Sequence, residues 1–213
     1  MLTHTTMAHI NRINKANKAV ASTGSALPMH TFVYPPVGRI IEYLGTVNYA
    51  TSERVLANIK GLMVDAHDEP ICMIVTSTGG PTGTAMSFYD TIRYVLAPRL
   101  VTIGAGDVDS SGILIFLAGD ERYITPHTTL LLHLAGRTFT GGIRFTASEI
   151  EIMVHEDRVK DLQYASVVAE RSHGHLTAEK VLQLMERNTL LLPSDLVSFG
   201  LADAIVNRES LFI

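Results

Sequence analysis

Two short apolar runs, Ile71–Val75 and Leu100–Gly104, each break off at a turn rich in Gly, Ser, Thr or Asp and then pass into a helical pattern. Runs of this length, bounded by turn residues, read as buried strands. The segments that follow them, about Gly83–Leu96 and Gly112–Ala118, carry helical spacing. Strand, glycine turn and helix, repeated within fifty residues, point to an α/β fold. The same alternation extends in both directions. Val55, Ile59, Leu62, Met63 and Ala66 recur at helical spacing before the first run, and Arg122–Thr125 and Thr129–Leu134 read as strands after the second. Thr146-Ala-Ser-Glu149 is a capping box that opens a helix running to about Arg171. Its apolar residues (Ile150, Met153, Val154, Leu162, Ala165, Val168) fall on more than one stripe, so it is expected to pack on two surfaces. Thr177 caps a further helix to Arg187, and Ser194 is expected to cap another that Gly200 closes, before a strand over Ala204–Val206. Gly119 is expected to stop the short helix before it as a C-cap.

The chain of 213 residues suits one α/β domain. Residues 39–213 are assigned to that domain and 1–38 to an N-terminal arm and linker. Residues 1–41 hold no Asp or Glu but carry Arg12, Lys15, Lys18 and Arg39, and Ala21–Pro36 is rich in Ser, Thr, Gly and Pro. An organelle transit peptide shares that composition, and a basic, loosely structured arm is the simpler expectation. Only 18% of residues are charged, against 46% hydrophobic and a mean hydropathy of +0.22. About 25% charged is usual, so part of the apolar surface is expected to be covered by other subunits. A net charge of −4 argues against nucleic acid or an anionic membrane as partner. The longest uncharged apolar run, Ile113–Ala118, is far too short to span a bilayer. Cys72 lies within an apolar run and reads as core. A single cysteine forms no internal disulfide, which fits a reducing compartment and a cytoplasmic location, with an organelle stroma or matrix as the other option.

Two turns can carry chemistry. In Ser77-Thr78-Gly79-Gly80, paired glycines permit close backbone approach to a ligand and leave amide N–H groups free. In Gly106-Asp-Val-Asp-Ser110-Ser111-Gly112, a serine at the start of a helix presents its hydroxyl beside amides that face an oxyanion. Each alone is as well read as an ordinary strand-to-helix turn, with Ser110 as an N-cap. His133, mounted among apolar residues in Leu130-Leu-Leu-His133-Leu-Ala, supplies the base that such a serine needs. The other eight histidines fall in the N-terminal arm, in loop-like stretches or on the long helix. None forms a metal-ligand pattern, and neither a phosphate-binding loop nor a dinucleotide fingerprint is present, so no metal and no cofactor are expected.

The order TSTGG, MSFYDT (86–91), GDVDSSG, RYITP (122–126), LLLH, TASEIEI (146–152) and LLPSDLVSFGLAD (191–203) resembles ClpP, the proteolytic subunit of Clp proteases, over roughly residues 40–207. The resemblance implies a crotonase-like stack of ββα units with a protruding long helix. It implies rings of seven, single or paired as a tetradecamer, hydrolysing peptides or unfolded proteins by an acyl-enzyme route. By the same likeness Ser110 is the nucleophile, His133 the base, and the Gly80 and Ser111 backbone N–H groups form the oxyanion hole. Asn188 falls where the family has aspartate; it can orient the imidazole but adds no charge. Asp107 and Asp109 stand where the family is usually uncharged, and either is close enough in sequence to act on His133 or Ser110. Pro81 removes an amide just beyond Gly80. The N-terminal arm lacks the family's axial-loop pattern, which bears on docking to an AAA+ unfoldase. Two other readings use the same motifs: a catalytically weak or inactive subunit of a mixed ring, and a crotonase-like enzyme acting on a thioester. A Ser-Lys peptidase is disfavoured because no lysine lies between Lys60 and Lys160.

Overall fold

In a computed structural model, residues 35–206 are described; most of the expected N-terminal arm lies outside them. Five parallel strands form the central sheet in the order β1 (Ile40–Leu44), β2 (Ile71–Ser77), β3 (Leu100–Val108), β4 (Glu121–Ile124) and β7 (Ala204–Ile205). Parallel neighbours need crossovers, and helices supply them: α1 (Tyr49–Asp65) joins β1 to β2, and α2 (Thr82–Asp90) joins β2 to β3. β2 is covered on both faces, with five of its seven residues buried, which is why its sequence runs apolar without alternation. On the helical side, Tyr43, Met73, Val75, Phe88 and Phe116 belong to one core; Cys72, Val101, Ile103 and Tyr123 form a second on the opposite face. Burial pushes the Cys72 thiol up to about 11, so it packs as a small apolar group.

α2 runs on through a π-helical turn, Thr91–Leu96, and stops at Ala97, which takes a left-handed conformation. The residue before a proline is excluded from the right-handed helical region, and Pro98 follows. α3 (Gly112–Leu117) is buried along its whole length. Gly119 follows it for a packing reason rather than as a left-handed cap: a Cβ there would lie 2.4 Å from Thr102 Oγ1. Two buried arginines close this end. Arg171 donates from Nε to the Leu117 carbonyl at 3.1 Å and from Nη2 to the Gly119 carbonyl at 2.6 Å, while Arg122 Nε donates to the Leu201 carbonyl at 2.9 Å.

β5 (Leu130–Leu132) leaves the main sheet and pairs antiparallel with β6 (Thr189–Leu191). Between them come α4 (Ala147–Arg171) and α5 (Ala178–Glu186). The capping box that opens α4 is present, with Glu149 Oε2 accepting from the Thr146 N–H at 2.7 Å. The buried residues of α4 all lie in its C-terminal half: Tyr164, Ala165, Val168 and Arg171. Ile150, Ile152, Val154, Val159 and Leu162 are exposed, so the second packing surface expected for this helix is not supplied by its own chain. α6 (Pro193–Ser198) begins two residues earlier than expected. Pro193 occupies its first position and the Asp195 carboxylate accepts from the Leu192 N–H at 2.9 Å, leaving Ser194 inside the helix. No helix among the described residues is long and apolar enough to cross a membrane.

Candidate active site

The two chemistry-bearing turns lie at the C-terminal ends of β2 and β3, the end of a parallel sheet where ligand sites form. They interlock. The Asp109 N–H donates to the Ser77 carbonyl at 2.8 Å, and Ser111 Oγ donates to the Gly80 carbonyl at 2.9 Å. Glycine is required at two places in this interlock. At Gly80 a Cβ would lie 2.1 Å from the Val47 carbonyl oxygen, and at Gly79, which has φ +91°, it would lie 2.7 Å from Ser110 Cβ. The close approach packs the backbone that carries the Gly80 N–H against the turn that carries the Ser111 N–H. Neither N–H has a hydrogen-bond partner among the described residues.

Ser110 has φ +54°. A non-glycine residue in that region stores about 1–3 kcal/mol of strain and needs surroundings that hold it there. Three hydrogen bonds do so: the Ser110 N–H donates to the Leu131 carbonyl at 2.9 Å, and the Ser110 carbonyl accepts from the Ile113 N–H at 3.1 Å and from Tyr164 Oη at 2.9 Å. The side-chain Oγ is left without a protein hydrogen-bond partner among the described residues and faces a cleft of ≈ 560 Å³. His133 lines the same cleft, with Thr82, Arg137, Asp157 and Lys160.

His133 sits one residue past β5, fixed by the β5–β6 ladder on one side and by Asp109 on the other. The Asp109 carboxylate accepts from the Leu131 N–H at 2.9 Å. Burial holds that carboxyl above the usual carboxylate range, against the opposing pull of the Leu131 hydrogen bond. Asp109 therefore stitches the Ser110 turn to the strand that leads to His133. Asp107 is exposed at the turn's edge, with only a long 3.5 Å contact from Thr129 Oγ1.

His133 Nδ1 lies 2.7 Å from the Leu134 carbonyl oxygen. A carbonyl only accepts, so Nδ1 carries the proton and Nε2 keeps its lone pair. Continuing the β5–β6 register by one residue sets His133 opposite Asn188. Asn188 has φ +50°, is exposed, and its side chain makes no hydrogen bond to His133. The five expected site residues thus divide: Ser110 and His133 line the cleft with Gly80 and a smaller pocket with Ser111, while Asn188 lines neither and makes no hydrogen bond to the imidazole.

Two residues absent from the sequence reading also belong to this site. Tyr164 and Asp161, both from α4, line a small pocket together with Ser110 and His133. Asp161 accepts from the Ala135 N–H at 2.8 Å, and burial, the largest influence, holds its carboxyl above the usual range. Burial also raises the Tyr164 hydroxyl far above its ordinary value, so it acts only as a neutral donor. Among the described residues, no group of three or more His, Cys, Asp or Glu side chains is placed to hold a metal ion.

A hydroxyl on a strained turn, a histidine with a free Nε2 in the same cleft and two unpaired amides beside them form an arrangement suited to acyl transfer. The comparisons with known proteins agree in kind. Over 151 residues the chain is 35% identical to the ATP-dependent Clp protease proteolytic subunit 2 of Pseudomonas aeruginosa, covering 70% of this chain and 71% of that protein. Its fold matches that of an asparagine-to-aspartate mutant of ClpP1 from Listeria monocytogenes, with TM-score 0.70 at 24% identity, over 81% of this chain and 94% of that one. Residues 36–209, nearly the whole described region, match the Clp protease family, and with the parallel sheet and long helix already in place the chain is a member of that family.

Proposed function

We propose that this ClpP-type peptidase is an active serine endopeptidase in which Ser110 is the nucleophile, His133 the general base, and the Gly80 and Ser111 N–H groups the oxyanion hole. The observation that carries the reading is the strained Ser110 turn held in one cleft with His133, whose Nδ1 proton is committed to Leu134. Ser110 Oγ attacks the peptide carbonyl carbon while His133 Nε2 takes the hydroxyl proton. The resulting oxyanion is met by the two amides. Collapse of the intermediate breaks the C–N bond, and the amine leaves with the proton from His133. Water then attacks the Ser110 ester, giving its proton to Nε2, and the acid product departs as the proton returns to Ser110. The substrate is a peptide or an unfolded protein segment laid along the cleft. Loss of short-peptide hydrolysis in Ser110→Ala, with the fold retained, tests the assignment.

The working form is a ring of seven, single or paired. Support comes from the exposed apolar residues Ile150 to Leu162 on α4 and from the low share of charged residues. The Pseudomonas relative is ATP-dependent by name; by that likeness an AAA+ unfoldase is the partner that would feed the ring, and the cytoplasm its place. A second reading has one observation in its favour. Because Asn188 is uncharged and makes no hydrogen bond to His133, the chain would serve as a weakly active subunit of a mixed ring if nothing else supplied the missing charge.

A further inference from the structure

We propose that Asp161 is a positioning residue that acts on His133 through the Leu134–Ala135 peptide group, replacing the charge that Asn188 does not provide. The inference rests on the assignment of Ser110 and His133 above. Its basis is a continuous hydrogen-bonded chain. His133 Nδ1–H donates to the Leu134 carbonyl at 2.7 Å, and the Ala135 N–H donates to Asp161 Oδ1 at 2.8 Å. The carbonyl of Leu134 and the N–H of Ala135 are the two ends of one planar amide. A carboxylate on the N–H end draws that proton toward itself and shifts electron density to the carbonyl oxygen. The oxygen becomes a stronger acceptor, because hydrogen bonds in a chain polarise one another. When His133 takes the Ser110 proton, the imidazolium donates from Nδ1 into this strengthened acceptor. No proton leaves Nδ1 in the process; the peptide transmits polarisation only.

The placement on α4 adds a second link. Asp161 and Tyr164 are three residues apart and so share a helix face, and Tyr164 Oη holds the Ser110 carbonyl at 2.9 Å. One face of one helix therefore fixes both the nucleophile's turn and the base's support. Other charged groups near His133 are committed elsewhere or act less directly. Asp109, from the turn, is bonded to the Leu131 N–H and does not line the pocket that Ser110, His133 and Asp161 share. Arg137 is paired with Asp157 and Glu156, and Lys160, which lines the cleft, is a cation that opposes rather than supports an imidazolium.

The test is the rate of labelling by a fluorophosphonate, followed from about pH 5 to 9 on the full chain and on Asp161→Asn, Ala135→Pro, His133→Ala and Ser110→Ala. Asparagine at 161 retains an oxygen to accept the Ala135 N–H and loses only the charge; proline at 135 removes the N–H and keeps the carboxylate. Both are expected to label roughly tenfold more slowly at neutral pH. In Asp161→Asn the acid limb of the profile should move to lower pH, since removing a negative charge disfavours the imidazolium. An unchanged rate and profile in Asp161→Asn, with Ser110→Ala and His133→Ala unlabelled, overturns the relay while leaving the site assignment standing. A slower rate with an unmoved acid limb in Asp161→Asn also overturns it, reducing Asp161 to packing. Full-speed labelling of His133→Ala removes the assignment itself, and the relay with it.

Discussion

His133 and Asn188 stand opposite each other one step beyond the last pair of the β5–β6 ladder, yet the imidazole Nδ1 is bonded to the Leu134 carbonyl and the amide of Asn188 is exposed to solvent. Asn188 therefore provides the imidazole with neither a hydrogen bond nor a charge.

Asn188→Asp is expected to raise peptide turnover by about tenfold, equivalent to roughly 1.4 kcal/mol of barrier. The gain should be larger in an Asp161→Asn background, because two carboxylates that support the same imidazolium are not additive. Steady-state hydrolysis of one short peptide by the parent, both single variants and the double variant measures the coupling. Equal gains in the two backgrounds would show that the residues act independently.

The exposed apolar residues of α4 lead to a prediction about mass. Light scattering should give at least about 160 kDa, seven times the 23.2 kDa chain. Ile152, 59% exposed on this chain, is expected to lie between rings. Ile152→Glu should lower the mass of a paired assembly toward that of a single ring. A monomer at micromolar concentration would contradict ring formation.

Much of this could be read from the amino-acid order, and what could not has physical causes. Strand–turn–helix alternation located β2, β3 and their turns, because glycine and buried apolar runs are local signals. His133 stands out because it interrupts an apolar run, but Ser110 alone reads as a cap, and the roles proposed for both come from the family likeness rather than from spacing. Asp161 and Tyr164 were not legible. They lie on a helix whose apolar residues blur its faces, and both act on backbone atoms of distant segments, which leave no mark in side-chain spacing. Gly119 and Ser194 were assigned capping roles by residue type. The contacts of Thr102 and the pairing of Asp195 with the Leu192 N–H, both set by tertiary structure or by a competing cap, decide those positions instead.

A pH effect follows from Arg137, which fastens the segment after His133 to α4. Its guanidinium donates to Asp157 at 2.9 Å and to Glu156 at 2.8 Å, and these hydrogen bonds hold both carboxyls below their ordinary values. Carboxylates with lowered values contribute above the unfolded range near pH 4 and lose that contribution as pH falls through the folded values. Cleavage within residues 136–145 by a protease active in acid should therefore quicken below about pH 4 while the central sheet stays intact. Arg137→Gln should show the same loosening at pH 7. Protection in this segment that is unchanged by acid and by the substitution would contradict the clamp.

The most direct test of the account is to treat the protein with a fluorophosphonate and locate the adduct by mass spectrometry. The predicted result is one adduct per chain, on Ser110. It should be absent from Ser110→Ala and retained in Ser111→Ala, whose backbone N–H is intact. Undiminished labelling of Ser110→Ala, or an adduct on any other residue, would contradict the assignment of the nucleophile.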